Sequence, residues 1–181
     1  MGWRTKYDVA FKGLKEGLHE FEYEIEDAFF EHFDQEIVHA GKVNVKASLE
    51  KRNTFMKLLF TIHGRVELTC DRCLEKYLQK VENKAEVFVK FSQSVQEDDD
   101  QVMWISPEEY RINLAQLIYE YIVLSLPLKH VHPDKENGKS GCDQKMIQKL
   151  ENHKPHAGNK EDEDHPVDPR WEALKKLKNN N

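Results

Sequence analysis

The sequence is short of the features that mark several protein classes. It has three cysteines in 181 residues. An odd and small set of thiols does not build a disulfide framework. The opening residues, Met1-Gly2-Trp3-Arg4-Thr5-Lys6-Tyr7-Asp8, contain no apolar secretion segment, so the expected location is a reducing cytoplasm. Met1-Gly2 opens like a myristoylation signal, but Lys6 stands where that signal requires serine or threonine. Long apolar runs are also missing, and none approaches the ~20 residues of a bilayer-spanning helix. No cationic excess is present. A net charge of −6 argues against a broad basic face coated with nucleic acid, while leaving room for a local basic contact.

Catalytic signatures are scarce. There is no Gly-x-Ser-x-Gly, no phosphate-cradling glycine loop and no helical pair of histidines around a glutamate. Asp98, Asp99 and Asp100 adjoin one another in an acidic loop over residues 92–103, but the spaced oxygen ligands and turn glycine of a calcium loop are lacking. No internal repeat is found.

What the chain does have is alternation. Phe21, Tyr23 and Ile25 alternate with glutamates, and Val43, Val45, Ala47 and Leu49 alternate with polar residues. Met56, Leu58, Phe60, Ile62, Gly64, Val66, Leu68 and Cys70 share one parity in the longest strand. Gly64 within it suggests a bulge or bend. A fourth strand runs from about Tyr77 to Phe91, after a hairpin turn at Lys51-Arg52-Asn53-Thr54 that joins the second and third. Short connections between alternating strands imply antiparallel pairing. A short alternating segment (Tyr7, Val9, Phe11) precedes them, and residues 27–33 read as a helical turn capped by Asp27.

Ser106-Pro107-Glu108-Glu109 reads as a capping box, with Asn113 as a second possible helix start. Leu114, Leu117, Ile118, Tyr121, Ile122 and Leu126 then recur at helical spacing up to Pro127. A short helix is expected over residues 144–150. The fold class is therefore α+β: an antiparallel sheet of long hairpins with one main helix packed on it. The expected organisation is one domain over residues 1–150, a disordered linker over 151–167, and a short amphipathic helix over 168–181.

Cys70-Asp71-Arg72-Cys73 falls at the tip of the long hairpin. This spacing lets two thiolates bind one tetrahedral ion from a tight turn, and thiolates suit zinc. Cys142 is the remaining thiol, and His130 and His132 lie shortly before it, so a Cys₃His set would tie the hairpin tip to the segment after the helix. Two other readings stand beside it. One is three metal-free core cysteines; the other is a Cys70–Cys73 redox pair, although redox pairs of that spacing usually open a helix after a strand.

The order of Cys70-Asp71-Arg72-Cys73-Leu74-Glu75, Asn113-Leu114 with Glu120, Leu126-Pro127, His132, Cys142 and Asp168-Pro169-Arg170 with Leu174 and Leu177 resembles the YceD-like family, the large ribosomal RNA subunit accumulation proteins. The resemblance spans roughly residues 40–180. It implies a role in accumulation or processing of large-subunit (23S) ribosomal RNA and in ribosome assembly, without an established catalytic activity. It also implies His132 and Cys142 as the metal partners of Cys70 and Cys73, with His130 as the alternative histidine. Asn113 stands where members usually carry aspartate.

The expectation is thus a non-enzymatic assembly factor with structural zinc, whose partner is a large-subunit precursor, either its RNA or an associated protein. No membrane and no small-molecule substrate is expected. Contacts would come from Arg72, Arg170, Trp171, Lys175 and Lys176. The alternatives are a metal-dependent nuclease on precursor RNA, a thiol oxidoreductase, or a zinc-stabilised interaction module unrelated to ribosomes.

Overall fold

The structure is a computed structural model that describes residues 2–33, 37–93, 101–134, 138 and 140–153. The chain divides into two units, Met1–Asp143 and Gln144–Asn181. The first unit is built on a five-stranded sheet. Its strands β2 (Gly17–Ile25), β3 (Ala40–Lys51), β4 (Phe55–Thr69) and β5 (Lys76–Phe91) form an antiparallel meander in that order, as the alternation predicts. The three-residue turn between β3 and β4 falls where expected, closed by the Arg52 amide donating to the Phe55 carbonyl at 3.0 Å.

Parity fixes which face is buried. Leu58, Phe60, Ile62, Val66 and Leu68 of β4 are all within 2% of full burial, as are Val43, Val45, Ala47 and Leu49 of β3. Each interposed residue faces outward or lies at the margin. Helix α2 (Ala115–Leu124) covers this face. Leu114, Ile118 and Ile122 are fully buried. The Tyr121 ring lies 5.2 Å from that of Phe60, and the Asn83 amide donates to the Tyr121 carbonyl at 2.9 Å.

Several local expectations are corrected. Gly64 makes no bulge, because β4 stays in register with Val43 on one side and Val81 on the other. Instead the neighbouring strand comes very close: a Cβ at Gly64 would lie 2.6 Å from the Cα of Val43. Ser106-Pro107-Glu108-Glu109 forms a turn rather than a helix start, with the Glu109 amide donating to the Ser106 carbonyl. The start is two residues after Asn113, whose side-chain oxygen accepts the Ala115 amide at 3.1 Å. Its amide nitrogen donates to Arg4 O and to Asp8 Oδ1, both at 2.7 Å.

Asp27 does not cap the short helix α1 (Asp27–Phe30); its carboxylate accepts the Gly41 amide at 2.8 Å. The expected acidic loop is interrupted by strand β6 (Val102–Ile105), which joins β5 in parallel. Residues 94–100 are outside the described residues, Asp98, Asp99 and Asp100 among them.

The segment around Tyr7, Val9 and Phe11 is two 3₁₀ turns, Trp3–Tyr7 and Phe11–Gly13, flanking strand β1 (Asp8–Val9). This strand pairs with β7 (Ile112–Asn113) outside the main sheet. Trp3, Tyr7, Phe29 and Phe33 pack edge to face, and Phe33 stacks on Tyr119 at 4.1 Å. Tyr119 is 1% exposed and belongs to the core, although the helical stripe read from sequence omits it.

In the second unit, α3 (Gln144–Asn152) runs two residues beyond the expected 144–150. It thus takes in the first two residues of the linker expected to be disordered over 151–167; residues 154–167 and the amphipathic helix expected over 168–181 lie outside the described residues. No helix among the described residues is long and apolar enough to cross a membrane.

Candidate metal centre

The knuckle forms where β4 ends. The Cys70 amide donates to the Glu75 carbonyl and the Leu74 amide to the Cys70 carbonyl, both at 2.9 Å. Leu74 adopts a left-handed backbone, φ 62°, a conformation costly for a branched side chain. The turn therefore depends on its surroundings. It leaves Cys70 fully buried and Cys73 2% exposed.

The segment after α2 is fastened to this turn by Asp71. The Asp71 amide donates to the His130 carbonyl at 2.7 Å, and the His130 amide donates back to Asp71 Oδ2 at 2.8 Å. These bonds use the backbone of His130. The imidazole of His132 is the one that reaches the thiols, with Nδ1 lying 3.4 Å from Cys73 Sγ. Its ring packs 4.9 Å from that of Tyr77. The chain then turns tightly at Gly141, where a Cβ would lie 2.5 Å from the Pro133 carbonyl oxygen. Cys142 follows, with its amide donating to Ser140 Oγ at 3.2 Å and its sulfur 3.7 Å from Cys70 Sγ.

The donor atoms of Cys70, Cys73, His132 and Cys142 all lie within 4.8 Å of one another. None of the three cysteines forms a disulfide among the described residues. A tetrahedral ion bonded at about 2.3 Å to sulfur and about 2.0–2.1 Å to nitrogen gives edges of about 3.8 Å between sulfurs and about 3.5 Å from sulfur to nitrogen. The two close contacts match those edges, and the donor set is compatible with a metal ion. Among the described residues no other group of three or more such ligands converges.

The surroundings favour thiolate at Cys70. Burial alone would push its pKa up. The amides of Cys73, Arg72 and His132 and the His132 side chain more than offset this, and the pKa falls from 9.0 to about 6. Cys142 moves the other way. The Ser140 hydroxyl pulls its pKa down, but burial and the neighbouring sulfurs outweigh that and raise it. One sulfur of the set is thus ready to bind, while another needs a cation nearby before it ionises readily.

Residues 58–178, more than half of the chain, match the family model described as large ribosomal RNA subunit accumulation protein YceD. The chain belongs to the YceD family. Neither a curated protein nor a solved structure matches it. In this family member the matched stretch begins inside β4 and takes in the knuckle, α2 and the His132–Cys142 segment. Both halves of the donor cluster therefore fall within it.

The sequence places four donors that the fold brings together, across 72 residues between Cys70 and Cys142. It does not reveal the Asp71 fastening, the left-handed Leu74 or the close turn at Gly141. An aspartate inside the Cys-x-x-Cys segment and a glycine before Cys142 are the only sequence signals for these. Arg72 is exposed beside the knuckle. Arg170, Trp171, Lys175 and Lys176 lie outside the described residues.

Proposed function

We propose that the protein is a non-enzymatic factor for accumulation or processing of large-subunit ribosomal RNA, working in the cytoplasm on subunit precursors and held in shape by structural zinc. The observation that carries the zinc reading is the convergence of four protein donors, supplied by two segments far apart in sequence. Catalytic zinc sites usually keep a coordination position for water or substrate, whereas structural sites fill all four with side chains. Cys70, Cys73, His132 and Cys142 would fill all four. Bound there, zinc supplies a cross-link between the hairpin tip and the segment after α2. The membership of the YceD family supports the ribosomal reading. Arg72 at the knuckle and Arg170, Trp171, Lys175 and Lys176 towards the end of the chain are the proposed contacts.

The test joins metal content to cosedimentation. Purified protein is expected to carry about one zinc per chain, and Cys142→Ser to lose it. Wild-type protein should sediment with large-subunit precursors from gently lysed cells, and deletion of its gene should lower the amount of large-subunit ribosomal RNA. Protein found only in free fractions, with unchanged RNA levels, would count against the ribosomal role.

A further inference from the structure

The outward face of the sheet carries a feature that neither the donor cluster nor the fold accounts for. Lys42 of β3 lies directly across from Arg65 of β4, and Arg65 lies directly across from Lys80 of β5. Three cations thus stand in one row across three adjacent strands, and all three are exposed. Strand spacing makes the row about 10 Å long. Like charges directly opposite one another destabilise a sheet. Such a row is unexpected in a chain with a net charge of −6.

Their neighbours do little to relieve it. Lys80 reaches Glu82 at 2.7 Å, but this pair is more than 70% exposed on both sides and so contributes little. Lys42 and Arg65 have no ion pair among the described residues. The acidic groups nearby are mostly engaged: Asp27 accepts the Gly41 amide, and Glu67 pairs with Lys76 at 2.7 Å. Glu26 is the other carboxylate lining the same surface.

The row borders an open groove of about 900 Å³ that runs past Gly41, Gly64 and Leu78. Gly41 and Gly64 add backbone to its lining. Leu78 on the same face is 60% exposed and offers an apolar surface beside the cations. His63 adds an exposed imidazole to the wall.

We propose that this groove binds a single strand of RNA, with Lys42, Arg65 and Lys80 on neighbouring phosphates and a base lying over Leu78. The combination of a cation row and an adjacent apolar surface matches the two parts of a single-stranded nucleic acid. An acidic protein segment would use the cations but leave the exposed Leu78 unused. The choice of RNA over other polyanions also rests on the ribosomal reading given above.

The test measures binding of labelled single-stranded fragments of large-subunit precursor RNA to the full-length, metal-loaded protein over a range of salt. The variants are Lys42→Gln/Arg65→Gln/Lys80→Gln and, as a control, Lys15→Gln, which is remote from the row. The triple variant should bind at least tenfold more weakly. The slope of log affinity against log salt should become shallower by about 2, as expected when three single-strand phosphate contacts are lost. Retained zinc and an unchanged melting temperature would show that its fold is intact. Leu78→Ala should weaken binding with no change in slope.

Equal binding and slope in wild type and triple variant would overturn the proposal. So would a wild type that ignores RNA, or one that binds an acidic peptide through these residues in preference to RNA. The ribosomal reading fails separately: deleting the gene would then leave large-subunit RNA levels unchanged, whatever the groove binds in vitro.

Discussion

At the scale of single residues, the buried thiols set the chemistry and Asn113 sets a structural constraint. Cys70 has a pKa of about 6 in the fold against 9.0 ordinarily. A depressed pKa stabilises the folded state fully above the unfolded value and loses that contribution as pH falls through the folded one. Metal-free protein should therefore gain stability between about pH 6 and 9 from this residue. Thermal melts of wild type and Cys70→Ser, both stripped of metal, check this: the wild-type rise with pH should be reduced in the variant. Asn113 caps α2 with its oxygen and donates its nitrogen to the Asp8 carboxylate. Aspartate at this place would cap a helix equally well, yet here it would set a second carboxylate against Asp8. Asn113→Asp is expected to cost about 1–2 kcal/mol at neutral pH, comparable to loss of a cap. Much of that should return on acidification, once the introduced carboxyl is protonated. Urea unfolding at two pH values measures it.

At the scale of elements, the strands were legible because one face of each is buried. Alternation records that constraint directly, and the registers of β2 to β5 follow it. Features satisfied by distant partners were not legible. Asp27 has the residue type and position of a cap, but Gly41 offers its amide 14 residues away. Ser106-Pro107-Glu108-Glu109 has the composition of a helix start, and Asn113, tied to Arg4 and Asp8, begins the helix instead. Strand β6 has only four residues and its pairing is parallel, so neither length nor a hairpin turn announces it. Gly64 shows the same division. Its presence marks a local departure, while the approach of β3 decides that the departure is a close contact rather than a bulge. Gly64→Ala places a methyl group against the Val43 backbone and is expected to destabilise by about 3 kcal/mol, at the upper end of overpacking costs. A chemical denaturation curve, with zinc content unchanged, reads the effect.

At the scale of the whole first unit, the proposed zinc joins the tip of the β4–β5 hairpin to the segment that follows α2. Removing it should lower the melting temperature, because a structural site formed only in the folded state contributes its binding energy to folding. The losses should also be local. After chelation, amides of residues 70–75 and 128–133 are expected to exchange faster, while the central residues of β3 and β4, whose side chains are fully buried, stay protected. Hydrogen exchange with and without chelator distinguishes this from uniform loosening. The Asp71–His130 bonds should slow the local opening, since they fasten the same two segments without a metal.

The sequence by itself determined the strand faces, the main helix, the candidate donors and the family resemblance. Each is carried by residue type at fixed spacing along the chain, which records burial and ligand chemistry. Only the tertiary structure decided that His132 rather than His130 turns its ring to the thiols, that Asp71 holds the two halves together, and that Lys42, Arg65 and Lys80 line up across the sheet. These depend on which parts of the chain meet across 15 to 72 positions, from the Arg65–Lys80 pair to the two outer thiols. Spacing within a segment does not encode such meetings, because the folding of the sheet and the packing of α2 bring the segments together.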